Sequence, residues 1–309
     1  MGTSKAFGRL DVPLRVPTGF WRANQARLAP AVLLAIPLSL FAVFIVAPIV
    51  QTVAISFYEW DGTGASRWIG FDNYRELLAD PQFFVSLRNN VIWLAMFLLA
   101  PVFGLALALF LNQSIAGMRV VKSVFFVPLV LAHVVVGIVF VWFYDPAHGL
   151  IAIAFQFCGW TAPAILSDER LVTFGIVAAA LWSQTAFCLV LFMAGLTQLD
   201  GDLVAAGRID GAKGWSMLWH VVLPQLRSVG FIATIITVIG ALRNFDLIAV
   251  MTQGGPFGSS SVLAWEVYDQ TIFSYRAGYG AAVATVLFTI MSVYITWFLW
   301  RTLRQEAGV

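Results

Sequence analysis

Six long apolar stretches constrain this chain more than any other feature of its 309 residues. Five of them carry no Asp, Glu, Lys or Arg, and the other is interrupted only by Arg243 and Asp246. Each can supply the ~20 residues that cross the hydrocarbon core of a bilayer, and backbone hydrogen bonding in lipid favours helices over open strands. The stretches are Ala31–Tyr58, Asn89–Asn112, Ser123–Tyr144, Leu171–Leu199, Ser228–Met251 and Ala277–Trp300. We therefore predict an all-α integral membrane protein with about six transmembrane helices.

Irregular helices are expected among these spans. Pro37, Pro48, Pro101 and Pro128 lie inside apolar stretches, and a proline removes one helical hydrogen bond and bends the helix. Leu150–Trp160 is a further apolar run, but it is too short to cross a bilayer. We expect it to be interfacial or re-entrant.

Composition excludes several classes of protein. Charged residues make up 11% of the chain, compared with about a quarter of a soluble domain. The net charge of +2 is spread along the chain, so no basic stripe points to nucleic acid. Cys158 and Cys188 lack metal-ligand spacing. No Gly-rich phosphate-binding loop followed by Lys and Ser or Thr occurs. If ATP drives this protein, another subunit must bind it.

The distribution of Lys and Arg predicts the orientation. With the N-terminus inside, twelve of the 18 basic residues fall in inside segments and five in outside loops. The positive-inside rule then places both termini in the cytoplasm. We predict a cytoplasmic segment over 1–30, a membrane domain over 31–303 and a cytoplasmic tail over 304–309. The first segment is either an interfacial helix or a disordered basic tail.

The longest inside loop, DGDLVAAGRIDGAKGWSMLWHVVLPQLRS, has internal organisation. Asp200 or Asp202 can cap a short helix through Leu203–Ile209. Asp210, followed by glycine, marks a turn and can cap a second helix over Trp215–Val222. Small side chains are expected to form one surface, either for docking of a second body or for packing against the protein's own bundle. They are Ala205, Ala206, Gly207, Gly211 and Ala212.

The segment VAAGRIDGAKGWSMLWHVVLP within this loop, 200–228, resembles the cytoplasmic "EAA" signature of binding-protein-dependent ABC importer permeases. The matching residues are Ala206, Asp210, Gly211, Ala212, Leu223 and Pro224. Ala205 replaces the usual Glu, and Gly207 the usual second Ala. The resemblance implies that residues 205–207 and 210–212 couple the chain to an ATPase. The missing acid at Ala205 removes one polar contact expected there.

Further segments resemble the carbohydrate-uptake branch of that family, of the maltose and glycerol-phosphate type. They are WIGFDNYRELL (68–78), FFVPLVLAHVVVGIVFVWFY (125–144), MTQGGPFGSSS (251–261) and GYGAA (278–282). The resemblance implies a type I ABC importer permease in a bacterial inner membrane, moving a sugar by alternating access. It also implies a second homologous permease, two ATPase subunits that bind ATP and Mg²⁺, and an external sugar-binding protein. The chain itself would not be an enzyme.

Polar residues inside the spans are candidates for the substrate path. Arg243, Asn244 and Asp246 cluster in the fifth stretch, where unpaired charges cost about 3 kcal/mol. Arg243 and Asp246 can pair across one helical turn, so the cluster is either a structural pair or a polar lining. The resemblance supports the lining. Trp182 and Gln184 form a second patch suited to a sugar ring and its hydroxyls, although helix packing explains such patches as well.

Two other classes of membrane protein fit the sequence less well. A secondary, ion-coupled transporter often shows repeated halves and intramembrane carboxylates, but no repeat is evident and Asp246 is the only acid well inside a span. An intramembrane enzyme needs a catalytic constellation, and none of the known motifs occurs. His133, alone in the third stretch, is expected to be a packing residue.

Overall fold

The computed structural model describes residues 33–113 and 115–307. It contains two compact units, Met1–Gln51 and Thr52–Val309. The helix that could form in residues 1–30 lies outside the described residues.

The described chain is almost entirely helical. A single two-stranded antiparallel hairpin pairs β1, Tyr58–Glu59, with β2, Arg67–Trp68. The helices are α1 Leu33–Ile55, α2 Asp72–Ala79, α3 Pro81–Phe97, α4 Leu99–Leu111, α5 Met118–Val130, α6 His133–Phe143, α7 Leu150–Phe157, α8 Val172–Thr197, α9 Gly201–Ile209, α10 Trp215–Gln225, α11 Arg227–Leu242, α12 Asp246–Met251, α13 Leu263–Tyr268 and α14 Ala277–Ala307. Short π-helical turns lie at Ala42–Val46, Leu218–Val222 and Asp269–Phe273.

Within the described residues, four helices are long and apolar enough to cross a membrane, and the number rises to the predicted six if each of two bent helix pairs is one span. Four are single spans, namely α1, α3 with α4, α8 and α14, and two are bent pairs of helices. The α5–α6 pair bends by 104° and the α10–α11 pair by 73°. The α7 helix has eight residues and is too short to cross, in agreement with the prediction for this run.

Several helices end at other residues than the apolar stretches do, and two of these differences are informative. The second span begins at Pro81 rather than Asn89, because Asp80 accepts the N–H of Gln82 and caps α3. The fifth span ends at Leu242 rather than Met251. Hydropathy misses both boundaries, since a cap and a helix break depend on local backbone geometry.

Proline accounts for two of the irregularities. Pro128 lies inside α5, two residues before that helix ends, and the 104° bend follows immediately. Pro101 lies three residues into α4, where its missing N–H frees the carbonyl of Phe97, the last residue of α3. The predicted kink is therefore present at Pro128, and near Pro101 the helix is interrupted at Leu98.

The α8 helix defines two ends of the helical bundle. It has 26 residues, about 39 Å at 1.5 Å per residue. At its start Thr173 Oγ1 donates to Ser259 O, and at its finish Leu196 packs with Leu226 in a buried cluster. We call the end where α8 starts the hairpin end, because the β-hairpin lies there. We call the end where α8 finishes the loop end, because residues 200–226 follow it.

The β-hairpin lies at the hairpin end. The N–H of Gly278 donates to Trp60 O, which attaches the hairpin to the start of α14. Arg276 Nη2 lies 2.6 Å from both carboxylate oxygens of Glu76 on α2. The α3 helix also starts here, since Gln82 Nε2 donates to Gly258 O.

Glycine permits a close helix crossing between α4 and α8. A Cβ atom on Gly104 of α4 would lie 2.5 Å from Cys188 Cβ and 2.8 Å from Leu189 N on α8. These distances leave no room for a side chain, so the two backbones are in direct contact. Small residues at crossings are typical of helices packed in membranes, where close dispersion contact replaces the hydrophobic effect.

Candidate functional site

The polar cluster of the fifth span lies in a helix break. The α11 helix ends at Leu242, where the N–H of Arg243 donates to Ile239 O. The next helix, α12, begins at Asp246. Arg243 and Asp246 therefore do not lie on one continuous helix, and the local pairing expected between them is not formed. Within residues 33–113 and 115–307, Arg243 makes no ion pair.

Asp246 instead faces His133, the first residue of α6. His133 Nδ1 lies 3.8 Å from Asp246 Oδ2, and the two side chains are 54% and 55% exposed. His133, expected to be a packing residue, does contact a second helix, but its side chain is about half exposed. The sequence signal that could have indicated this exposure was the position of His133 just beyond the helix that contains Pro128, because the first residue beyond a helix break projects away from regular packing.

Packing of α6 against α12 brings this pair together. A Cβ on Gly137, one turn after His133, would lie 3.1 Å from Val250 Cγ1 and 3.4 Å from Leu247 Cδ2. The helices thus make contact at Gly137, and their first residues, His133 and Asp246, lie side by side one turn away. Two broken spans consequently present their breaks to each other.

The polar and apolar side chains of residues 243–246 lie in different environments. Phe245 stacks on Trp265 with ring centroids 5.8 Å apart and joins the buried core. Arg243 and Asp246 are exposed and Asn244 is half-buried. The break thus presents a cation, an amide and a carboxylate on the outside of an apolar core, together with the imidazole of His133. Such groups can bind hydroxyls and anionic substituents.

Trp182 and Gln184 share α8 but have different neighbours. Gln184 Nε2 donates to Thr237 Oγ1 of α11 at 2.9 Å, so its amide bridges two helices. The Trp182 ring lies 5.7 Å from that of Phe140 on α6. The structure therefore does not bring the two together as one patch.

Trp182 also lines an apolar cavity of about 480 Å³ between α4, α5 and α8. Its walls are Phe103, Ala106, Leu107, Phe125, Pro128, Ala178, Leu181, Trp182, Thr185 and Ala186. Thr185 supplies the one side-chain hydroxyl of this lining. The cavity thus offers little that a polyhydroxylated ligand could hydrogen-bond.

The loop end carries the second candidate site. Asp200 Oδ1 accepts the N–H groups of Asp202 and Leu203, so Asp200 caps α9 as predicted. Asp210, in contrast, ends α9 and does not cap the next helix, which follows Gly214. The next helix begins only after Gly214, which is too far along the chain for the Asp210 side chain to cap it.

The Asp210-Gly211-Ala212 sequence forms a helix-terminating motif. The N–H of Gly211 donates to Arg208 O and that of Ala212 to Gly207 O, the paired bonds of a Schellman motif. Gly211 has φ of +83°, a left-handed conformation that glycine adopts without a Cβ penalty. Among the described residues, no atom beyond its chain neighbours lies within 4 Å of a Cβ built at Gly211. Backbone conformation, rather than space within this chain, requires glycine there.

The small side chains of this loop do not form one surface, contrary to the prediction. Ala205 and Ala206 are exposed, whereas Gly207 is buried. A Cβ on Gly207 would lie 2.8 Å from Val221 Cγ2 of α10. Gly207 thus packs α9 against α10, and the alanines point outward.

Large apolar side chains accompany the exposed alanines. Ile209 is 87% exposed and Trp215 is 71% exposed; Leu203 and Trp219 are exposed as well. Leu203 and Ile209 belong to α9, outside the candidate spans, where exposed apolar groups indicate an interaction surface. Trp215 and Trp219 belong to α10, the first half of a bent span. The described residues contain no group of three His, Cys, Asp or Glu that could hold a metal ion.

Sequence comparisons find related proteins over most of the chain. The family model described as "Binding-protein-dependent transport system inner membrane component" matches residues 100–304. The multiple sugar-binding transport system permease protein MsmF of Streptococcus mutans is 30% identical over 84% of this chain and 90% of its own length. The osmoprotective compounds uptake permease protein GgtC of Synechocystis is 30% identical over 82% and 91%.

Structural comparison finds the same fold. A bacterial ABC transporter involved in the import of the acidic polysaccharide alginate contains a chain with a TM-score of 0.80 to this one. The two are 18% identical, and the match covers 92% of this chain and 98% of the other.

Proposed function

Because the chain belongs to the family of binding-protein-dependent transport system inner membrane components, we propose that it is a permease subunit of an ATP-driven importer for a sugar or sugar derivative. The observation that carries this proposal is the Schellman-terminated α9 at the loop end, flanked by exposed apolar side chains. It gives a multi-pass membrane protein a preformed docking element for another subunit.

The substrate class follows from the relatives. They include the MsmF permease, a sulfoquinovosyl glycerol transport permease of Agrobacterium fabrum that is 28% identical and an sn-glycerol-3-phosphate transport permease of Brucella abortus that is 28% identical. Their named substrates share hydroxyl groups, and some also carry an anionic group. Arg243, exposed and without an ion pair among the described residues, suits a substrate of the second kind.

The substrate path in this proposal runs past the paired helix breaks. Asn244, Asp246 and His133 offer hydrogen-bonding groups there, and Arg243 offers a positive charge. Gln184 and Trp182 remain secondary candidates, since the Gln184 amide is used between helices and Trp182 lines an apolar cavity. Broken helices at membrane depth commonly expose backbone and polar groups to a substrate.

Coupling would occur through α9 and the turn after it. Ala205 and Ala206 allow close approach of a partner, Asp210 supplies a carboxylate, and Gly211 and Ala212 fix the direction of the turn. Gly207 supports this surface from beneath. ATP and Mg²⁺ would bind two partner ATPase subunits, while a second permease and an external sugar-binding protein complete the assembly. The loop end and both termini would lie in the cytoplasm of a bacterial cell.

Reconstitution tests the proposal. We expect the chain, co-expressed with the other subunits encoded with it, to purify as a complex whose ATP hydrolysis is stimulated by the sugar-loaded external protein. Proteoliposomes containing the complex should accumulate the sugar only when ATP and Mg²⁺ are present on the side of the loop end. Uptake that persists without ATP, and that an imposed proton or sodium gradient drives, would contradict the proposal and favour the ion-coupled alternative.

A further inference from the structure

A polar stripe on α3 holds the segment that follows the fifth span. Asn89 Nδ2 donates to Ser259 O at 2.6 Å and to Ser261 O at 2.7 Å. Asn90 Oδ1 accepts the N–H of Leu263 at 2.9 Å. Residues 259–263 are therefore fastened to α3 by side chains that are themselves buried.

The next helix, α13, turns back along α3. Leu263 starts α13 beside Asn90, and Glu266 lies one turn later in α13. It approaches Ser86, which precedes Asn90 by one turn of α3, closely enough for that hydroxyl to affect its pKa. A carboxyl group consequently lies between the two helices.

This carboxyl group is buried without a partner. Glu266 is 2% exposed, and neither carboxylate oxygen has a hydrogen-bond partner among the described residues. An ionised carboxylate in such a place loses its hydration without compensation. Burial is accordingly the main cause that raises the pKa of Glu266 to about 7, whereas the Ser86 hydroxyl opposes the increase.

The charged neighbours act in the same direction as burial. Asp80, at the start of α3, and Asp269, after α13, both raise the pKa of Glu266 by charge repulsion. On α14, Tyr279 Oη donates to Asp80 Oδ2, and Arg276 is paired with Glu76. The charged groups that act on Glu266 are thus carboxylates, which favour its neutral form.

The Ser86 hydroxyl connects Glu266 to the fastened segment. Ser86 Oγ donates its hydrogen to Ser261 Oγ at 3.0 Å and retains lone pairs that can accept. A neutral Glu266 can donate to Ser86 Oγ and complete the chain Glu266–Ser86–Ser261. An ionised Glu266 needs a donor, and the Ser86 hydroxyl can serve it only by leaving Ser261.

We propose that Glu266 is a buried proton-binding site whose occupancy sets how firmly residues 259–266 are held against α3. When the proton is bound, Glu266 donates to Ser86 and Ser86 donates to Ser261. When the proton is lost, the Ser86 hydroxyl turns to the carboxylate and its hydrogen bond to Ser261 breaks. Residues 259–266 lie between the fifth span and the last one. The proton site therefore makes the attachment of this connecting segment depend on pH. The inference stands independently of the substrate carried.

Infrared difference spectroscopy tests the site directly. In the complete transporter in lipid nanodiscs, we expect the C=O absorption of a protonated carboxylic acid to disappear as pH rises, with a midpoint near 7. Glu266→Gln should abolish this signal, and the exposed control Asp72→Asn should leave it unchanged. Persistence of the signal in Glu266→Gln, or its absence from the wild-type protein between pH 5 and 9, would overturn the proposal.

Two further variants separate a proton site from a merely structural residue. Ser86→Ala should raise the midpoint, because the hydroxyl that stabilises the ionised form is lost. Asp269→Asn should lower it, because one repelling charge is removed. Both readouts remain available if Glu266→Gln fails to assemble. Unchanged midpoints in both variants would exclude the arrangement described here.

Discussion

His133 Nδ1 and Asp246 Oδ2 lie 3.8 Å apart across the contact between α6 and α12. Each residue is the first of its helix, and each helix follows a break in a membrane span. The carboxylate that follows the fifth span is thereby positioned by the third span, although Arg243 is three residues away in sequence. Gly137 makes this arrangement possible by admitting Val250 and Leu247.

Removing this pair should affect transport more than stability. Both side chains are about half exposed, and pairs of this kind contribute about 0–1 kcal/mol. We expect His133→Ala and Asp246→Asn to assemble normally and to reduce sugar uptake at least tenfold. Arg75→Ala is the matched control, since it breaks an exposed ion pair with Asp72 at the hairpin end and should leave uptake intact. Wild-type uptake in both test variants would remove the pair from the path.

Substitution of Arg243 should reveal the charge of the substrate. Because Arg243 makes no ion pair among the described residues, Arg243→Ala should not strand a buried carboxylate, and the complex should remain assembled. Uptake of an anionic substrate should fall, whereas uptake of a neutral sugar should not. Asn244→Ala is the companion variant, which should reduce uptake of either kind because hydroxyl groups lose a partner. Loss of assembly in Arg243→Ala would indicate a structural role instead.

The turn after α9 should tolerate no side chain at Gly211. Its φ of +83° makes a Cβ unfavourable by about 1 kcal/mol, so Gly211→Ala should weaken the Schellman motif and lower sugar-stimulated ATPase activity. Gly201→Ala is the control, because Gly201 has neither a positive φ nor any atom within 4 Å of an added Cβ. Equal ATPase activity in the two variants would show that this turn does not set coupling.

Thiol labelling should determine the orientation. In a Cys158→Ser background, which removes the exposed native thiol, Lys213→Cys and Arg304→Cys should resist impermeant reagents in intact cells. Arg67→Cys at the hairpin end should react. The physical basis is the excess of basic residues on the predicted inside. Labelling of Lys213→Cys from outside would reverse the proposed topology.

The α4–α8 crossing should be the most sensitive helix contact to a single methyl group. Gly104→Ala would place Cβ 2.5 Å from Cys188 Cβ, and overpacking of this kind costs about 1–3 kcal/mol. Gly240→Ala is a matched glycine-to-alanine control within a span, where the nearest atom would be 3.9 Å away. We expect a lower Tm for Gly104→Ala alone. Equal Tm values would show that the crossing relaxes without cost.

A large part of the fold could be predicted from the sequence. Apolar length and the absence of charge predicted six membrane segments because lipid forces every backbone group into internal hydrogen bonds. Asp200, one of the two caps proposed with Asp202, does cap α9, since a cap depends on residues only two or three positions away. Pro128 similarly predicted a kink, although not an angle of 104°.

The tertiary structure decided which polar groups meet. The sequence left a pairing of Arg243 with Asp246 open because an unbroken helix would place them on one face, whereas the helix ends at Leu242 and Asp246 lies beside His133. The burial of Glu266 was equally invisible, because it depends on the return of α13 along α3. The sequence by itself determined which segments enter the membrane, since that choice follows from local hydrophobicity. Contacts between distant segments required the folded chain, because they depend on where helices break and how closely glycines let them pack.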